Sequence, residues 1–290
     1  MNQENSQITE NFINIEAIIA NKNPKLLKLF PRFLLNYIKR IIHQEEVNKA
    51  IYTNRNKYNL DFFNAILDEF GAVINAYGLE NIPQSGRYLV ASNHPLGGLD
   101  GMALMSVTGR VRKDIVFPVN DLLLYLPNTT ELFIPVNKHG SNAENIALFE
   151  NSFASDSMIL YFPAGLCSRK IAGVIKDLEW KKTFISKARK HKRNIIPCFI
   201  EGKNSNFFYS LANIRKRLGI KANIEMMYLV NEMYKQKNKI INITFGKPIS
   251  YNFFDNKFSD YKWANFFRDY VYEIGKGNNE DFNIFINKLK

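Results

Sequence analysis

The sequence predicts an α/β fold: a mostly parallel or mixed central sheet flanked by helices, preceded by an N-terminal amphipathic helical segment. Three observations predict it. Short apolar runs recur along the chain as "RYLVASN", "DIVFPVN", "ELFIPVN", "MILYFPAG", "NIIPCFIEG" and "KIINITFGKPI". Helical stretches separate several of them, which is the alternation that builds layered α/β domains. The runs are continuously apolar rather than alternating, as strands buried on both faces are.

Taken in order, the chain opens with two or three helices. The most distinctive is Pro24 to Gln44, "PKLLKLFPRFLLNYIKRIIHQ". On a helix Lys25, Lys28, Arg32, Asn36, Lys39 and His43 share one face, and Leu26, Leu27, Phe30, Phe33, Leu34, Tyr37, Ile38, Ile41 and Ile42 cover the other. Pro31 is expected to kink it. A basic helix with a wide aliphatic and aromatic face suits a membrane interface, and suits equally a helix packed on its own domain with a solvated basic side. Near residue 60 "DFFNAILDEFG" reads as a short helix, and the strand runs begin after it. Helices are expected over "GMALMSVTG", "SNAENIALFENSFA" and "DLEWKKTFISKARKHK", and a helical excursion, "FYSLANIRKRLG" then "IEMMYLVNEMYKQ", precedes the last strand. The division expected is residues 1–60 as a membrane-associating helical segment and 61–290 as the α/β domain.

Composition narrows the setting. The 290 residues are 46% hydrophobic, enough for an ordinary core. Lys and Arg number 39 against 27 Asp and Glu, a net charge of +12. Such an excess attracts polyanions, whether nucleic acid, an anionic membrane or phosphorylated substrates. The chain has two cysteines, Cys167 and Cys198, and shows no secretion signal, so a reducing cytoplasmic setting is expected. No run of about eighteen apolar residues suggests a membrane span.

Chemistry is expected where strands end. In "NHPLGGLDG" a histidine, His94, and a carboxylate, Asp100, stand on either side of a glycine turn. A carboxylate on one imidazole nitrogen fixes the tautomer and leaves the other as a base. The same residues also read as a polar loop with Asp100 capping the next helix. In "FPAGLCSRK" a strand ends at Ala164 and Gly165, a turn able to offer backbone N–H groups to an oxyanion or phosphate, with Ser168, Arg169 and Lys170 beside it.

These two stretches, with "IIPCFIEG" and "FGKPI" after them, resemble the motifs of the glycerolipid (lysophosphatidate) acyltransferase superfamily in the same order, over about residues 70–250. The sequence departs from that pattern in three places. Five residues rather than four separate His94 from Asp100, Lys138 is the nearest cation where the family has Arg in its second motif, and Ala164 stands where it has Glu. The "HPLGGLDG", "FPAG" and "GKNSNFFYSLANIRKRLG" stretches look more similar to the acyltransferases of bacterial ornithine or glycine lipids, whose acceptors need fewer phosphate ligands.

The resemblance implies acyl transfer from a thioester, on acyl carrier protein or coenzyme A, to a lysolipid hydroxyl. No cofactor is expected to be bound. It implies His94 as base, Asp100 as its orienter, amides near Ala164 and Gly165 for the oxyanion, and Lys138, Ser168, Arg169 and Lys170 around the substrate, with the enzyme peripheral on the inner face of the cell membrane. Two other readings stay open. Cys167, beside the turn, is a candidate nucleophile for a thioesterase or acyl-enzyme route. A basic nucleic-acid-binding protein without chemistry would use Phe207, Phe208 and Tyr209 for stacking, although no nucleic-acid signature is present and no such partner is expected. The histidines, His43, His94, His139 and His191, lack the spacing of metal ligands.

Overall fold

The computed structural model describes residues 12–119, 123, 126–129, 131–136, 143–278 and 280–289. Lys138 and His139 lie outside them. The chain begins with α1 (Ile15–Lys22), α2 (Pro24–Leu29), α3 (Arg32–Ile41) and α4 (Gln44–Thr53), followed by α5 (Asn59–Glu69). The stretch expected as one kinked helix is two. α2 ends at Leu29 because a proline ring disfavours helical backbone in the residue before it and supplies no N–H to the preceding turn, and Pro31 itself, extended at φ −66° and ψ 150°, stands as the cap of α3. The break divides the apolar face. Leu35, Ile38 and Ile41 turn inward, whereas Phe33 and Leu29 stay in solvent.

The sheet strands are β1 (Val73–Tyr77), β2 (Tyr88–Ser92), β3 (Ile115–Val119), β4 (Phe133–Pro135) and β5 (Met158–Tyr161). After a short hairpin of β6 (Arg169–Ile171) and β7 (Val174–Lys176) come β8 (Asn194–Ile200) and β9 (Ile240–Phe245). The seven sheet strands lie in the order β1-β9-β8-β2-β5-β3-β4. All neighbours are parallel except β8 and β9. The mixed α/β fold expected from the apolar runs is therefore the fold observed. β1 and the hairpin were not foreseen: β1 is a half-exposed edge strand containing Asn75, and each hairpin strand has only three residues.

Helices α6 (Gly98–Thr108), α7 (Ala143–Ala154), α8 (Thr183–Lys190), α9 (Asn206–Arg217), α10 (Leu229–Tyr234), α11 (Asp260–Gly275) and α12 (Phe282–Lys288) complete the chain. β2 shows why its run is apolar throughout. Val90 packs with Leu67, Leu99 and Leu104 on one face, and Leu89 and Ala91 pack with Phe184, Phe267 and Val271 on the other. The helix expected from Asp177 begins only at Thr183, leaving Asp177 and Trp180 as the buried residues of the loop between the hairpin and that helix.

Candidate active site

The carboxyl ends of β2, β5 and β8, neighbours at the middle of the sheet, deliver three loops to one place. Asn93 ties the first to the last: its Nδ2 donates to the Ile200 carbonyl at 2.8 Å and its Oδ1 accepts from the Ile200 amide at 2.7 Å. His94 follows. The turn to α6 needs Gly97, whose φ is +86° and whose missing Cβ would stand 2.9 Å from Leu229.

Asp100 serves as helix cap and imidazole partner at once. Fully buried, it accepts from the amides of Leu96 (2.8 Å) and Gly97 (3.2 Å) on Oδ2 and from that of Gly101 (2.9 Å) on Oδ1. The same Oδ2 lies 3.0 Å from His94 Nδ1. A carboxylate only accepts, so the ring proton sits on Nδ1 and Nε2 keeps its lone pair. The His94 side chain retains 17% exposure, while its ring stacks on Phe162 at 4.1 Å, the residue that opens the Phe-Pro-Ala-Gly turn.

That turn is closed by the Gly165 N–H, which donates to the Phe162 carbonyl at 3.1 Å, and Gly165 takes φ +66°. Gly165 thus shapes the turn, and its own amide is already engaged. Ala164 is buried against the core. Ser168 and Arg169, expected to face substrate, are turned inward. The Ser168 amide donates to the His94 carbonyl at 2.8 Å and its hydroxyl to Asp177 at 2.6 Å. Arg169 is buried in an ion pair with Glu225 at 2.9 Å and also donates to the Cys167 carbonyl, so its guanidinium is not free for a lipid anion. Lys170 reaches Asn206 at 3.3 Å on the surface.

Two residues at this place were not singled out from the sequence. Asp177 is buried and accepts from the His94 amide (3.2 Å), the Ser168 hydroxyl and the Trp180 indole (2.9 Å), while its own amide donates to the Tyr272 hydroxyl at 2.7 Å. It holds the backbone of His94 from behind as Asp100 holds the ring. Lys181 projects over the turn, its ammonium 3.4 Å from where a Cβ on Gly165 would be. Neither carries a local sequence signal: Asp177 reads as a helix start and Lys181 as one of many lysines.

The family described as Acyltransferase matches residues 17–279. The chain belongs to that family. Two curated relatives, each called lyso-glycine lipid O-acyltransferase, align over 264 residues: one from Bacteroides thetaiotaomicron is 44% identical, covering 90% of this chain and 97% of its own, and one from Phocaeicola vulgatus is 46% identical, covering 90% and 95%. The crystal structure of the 1-acyl-sn-glycerophosphate (LPA) acyltransferase PlsC from Thermotoga maritima is a loose likeness, at TM-score 0.43 and 14% identity over 84% of this chain and 97% of that one.

In this acyltransferase the charges around His94 act against the effect of its burial. Burial of His94 disfavours its imidazolium, but the charge and hydrogen bond of Asp100, helped by Asp177, outweigh burial and raise its pKa above 6.5. Burial likewise lifts the carboxyl of Asp177 above its ordinary value, against the pull of the Ser168 and Trp180 donors. Cys167 is fully buried, and burial pushes its thiol up to about 11 despite the Arg169 guanidinium 3.1 Å away. Almost no thiolate is then available at neutral pH for the acyl-enzyme route. Among the described residues no three His, Cys, Asp or Glu side chains are grouped to hold a metal ion, and no helix is long and apolar enough to cross a membrane.

Proposed function

We propose that the protein acylates the hydroxyl of a lyso-glycine lipid, drawing the acyl group from a thioester on acyl carrier protein or coenzyme A, at the inner face of the cell membrane. The observation that carries the mechanism is the 3.0 Å contact between His94 Nδ1 and the buried Asp100. His94 Nε2 takes the proton of the acceptor hydroxyl as its oxygen attacks the thioester carbonyl carbon, and Asp100 stabilises the imidazolium that forms. The carbonyl oxygen gains negative charge and meets amides of the turn flanking Gly165. Collapse re-forms the carbonyl and expels the thiolate, which recovers its proton from His94. The products are an ester and a free thiol, with no covalent enzyme intermediate.

The acceptor reading is supported by the names of the relatives and by the turn itself. A glycine acylated through nitrogen keeps a carboxylate, and here a cation, Lys181, stands beside Gly165 in a turn that carries Ala164 rather than an acid. Lys138 remains a second proposed anion ligand, outside the described residues. The exposed, basic α2–α3 stretch is the proposed membrane contact.

Replacement of His94 by Ala tests the reading. Turnover of lyso-glycine lipid with acyl-coenzyme A or acyl-carrier protein is expected to fall by about 10²–10⁴-fold with the thermal melt retained. A purified H94A enzyme that still turns over at the parent rate overturns it.

A further inference from the structure

Three stretches distant in sequence contain no Asp or Glu at all: residues 24–43, 167–176 and 206–224. The fold brings them side by side. The hydroxyls of Tyr37 in α3 and Tyr228, in the 3-10 turn before α10, lie 2.6 Å apart, and the Tyr228 ring packs edge-on against Phe207 of α9 at 5.0 Å. α9 in turn is stitched to the hairpin, with Lys170 Nζ on Asn206 and Asn213 Nδ2 donating to the Lys170 carbonyl at 3.1 Å.

Each stretch presents bare apolar side chains. Phe33 of α3 is 75% exposed, Leu218 at the end of α9 is 68% exposed, and Val174 at the hairpin tip is 61% exposed, with Ile214 and Ile171 beside the latter two. Around them stand exposed Lys28, Arg32, Lys216, Arg217 and Lys221. Of the acids that reach these stretches from outside, Glu225 and Glu232 beside α9 are fully buried and paired with cations, and the partly exposed Glu16, Glu46 and Asp269 are ion-paired with Lys39, His43 and Lys176. Exposed apolar side chains rimmed by cations with no exposed acid among the three stretches match a bilayer bearing anionic lipids.

We infer that the membrane-binding surface is composite: α9 and the β6–β7 hairpin tip seat on anionic lipid together with α3, rather than the N-terminal helices alone. The surface borders the reaction centre. The hairpin leaves Ser168, whose amide holds the His94 carbonyl, and Gly97 of the His94 loop abuts Leu229, next to Tyr228. A lysolipid leaving the interface thus has a short path to the imidazole. This inference rests on the lysolipid reading above, so binding and turnover are measured apart.

The test is sedimentation with phosphatidylcholine vesicles, with and without phosphatidylglycerol, for the full chain and for F33E, I214E/L218E and I171E/V174E. All five replaced side chains are more than half exposed, so the fold is expected to be kept, and a thermal melt of each variant checks it. The parent is expected to bind only the anionic vesicles, and each variant to lose about tenfold in partition. Turnover of a short-chain, water-soluble acceptor without vesicles is expected to be unchanged. Parent-like partition by I214E/L218E and I171E/V174E while F33E is lost overturns the composite surface. A parent that ignores vesicles but forms a dimer broken by these variants makes the face a self-interface and overturns it too. Failure of the acyl-transfer reading would appear separately, as no turnover of the soluble acceptor by the parent.

Discussion

Replacing Asp100 by Asn removes one charge and changes little in volume. The carboxylate accepts four N–H groups, three on Oδ2 (His94 Nδ1, Leu96, Gly97) and one on Oδ1 (Gly101). An amide has one oxygen. In its better orientation the oxygen keeps the three donors and the NH₂ faces the Gly101 amide, leaving a buried donor unpaired and weakening the other bonds. Hydrogen bonds to charged groups contribute about 1.5–3 kcal/mol, so a loss of about 2–3 kcal/mol of stability is expected. For a chain of this size that is a fall in Tm of about 5 °C or more.

The catalytic effect is larger. Without the carboxylate the imidazolium formed in the transition state has lost its main partner, and kcat/KM is expected to fall by about 10²–10³-fold. The pH profile separates this from a folding defect. A base must be neutral to act, so the parent rate rises with pH through a midpoint above 6.5, where Asp100 and Asp177 outweigh burial. In D100N burial gains weight and the midpoint moves down. The stability linkage runs the opposite way to the rate: the raised His94 pKa contributes stability that is full below pH 6.5 and is lost as pH rises through the folded-state value. The assay is ester formation followed by mass spectrometry across pH, with a thermal melt at each point. D100N that folds, reacts within a few-fold of the parent and keeps its midpoint refutes the role given to Asp100.

Two other substitutions probe the residues that the fold added. D177N is expected to cost about 2 kcal/mol, because an NH₂ must face either the Trp180 indole or the Ser168 hydroxyl, and to lower the pH midpoint by less than D100N does; an unmoved midpoint would confine Asp177 to a purely structural part. K181M is expected to raise KM for the lyso-glycine lipid by about three- to tenfold with kcat kept, within the modest range of exposed ion pairs, and to leave the methyl ester of the same acceptor unaffected; equal losses on both acceptors would remove Lys181 from headgroup binding.

Much of the scaffold was legible because it is local. The runs at β2, β5 and β8 are almost wholly apolar because they feed the cores on both faces of the sheet, whereas β9, with Asn242 and Thr244, alternates and buries only Ile241, Ile243 and Phe245. The family motifs were legible too, as the match over residues 17–279 bears out. β1 and the hairpin escaped because an edge strand with Asn75 and strands of three residues lack a periodic signal. The C-terminal helices α11 and α12, whose Trp263, Phe267 and Phe282 build much of the second core, were likewise not read in advance.

What the sequence determined by itself is whatever depends on neighbours along the chain: the strand runs, an interruption of the helix at Pro31 (read as a kink and found as a full break), and the Gly97 turn that returns Asp100 to within reach of His94. Which charges are free was decided only by tertiary structure. Arg169 looks available in sequence, but its partner Glu225 lies 56 residues away, and Asp177 acquires its part from His94, 83 residues away. A buried charge is stable only when paired, and the pairing is set by the packing of elements remote in the chain, so no local pattern announces it.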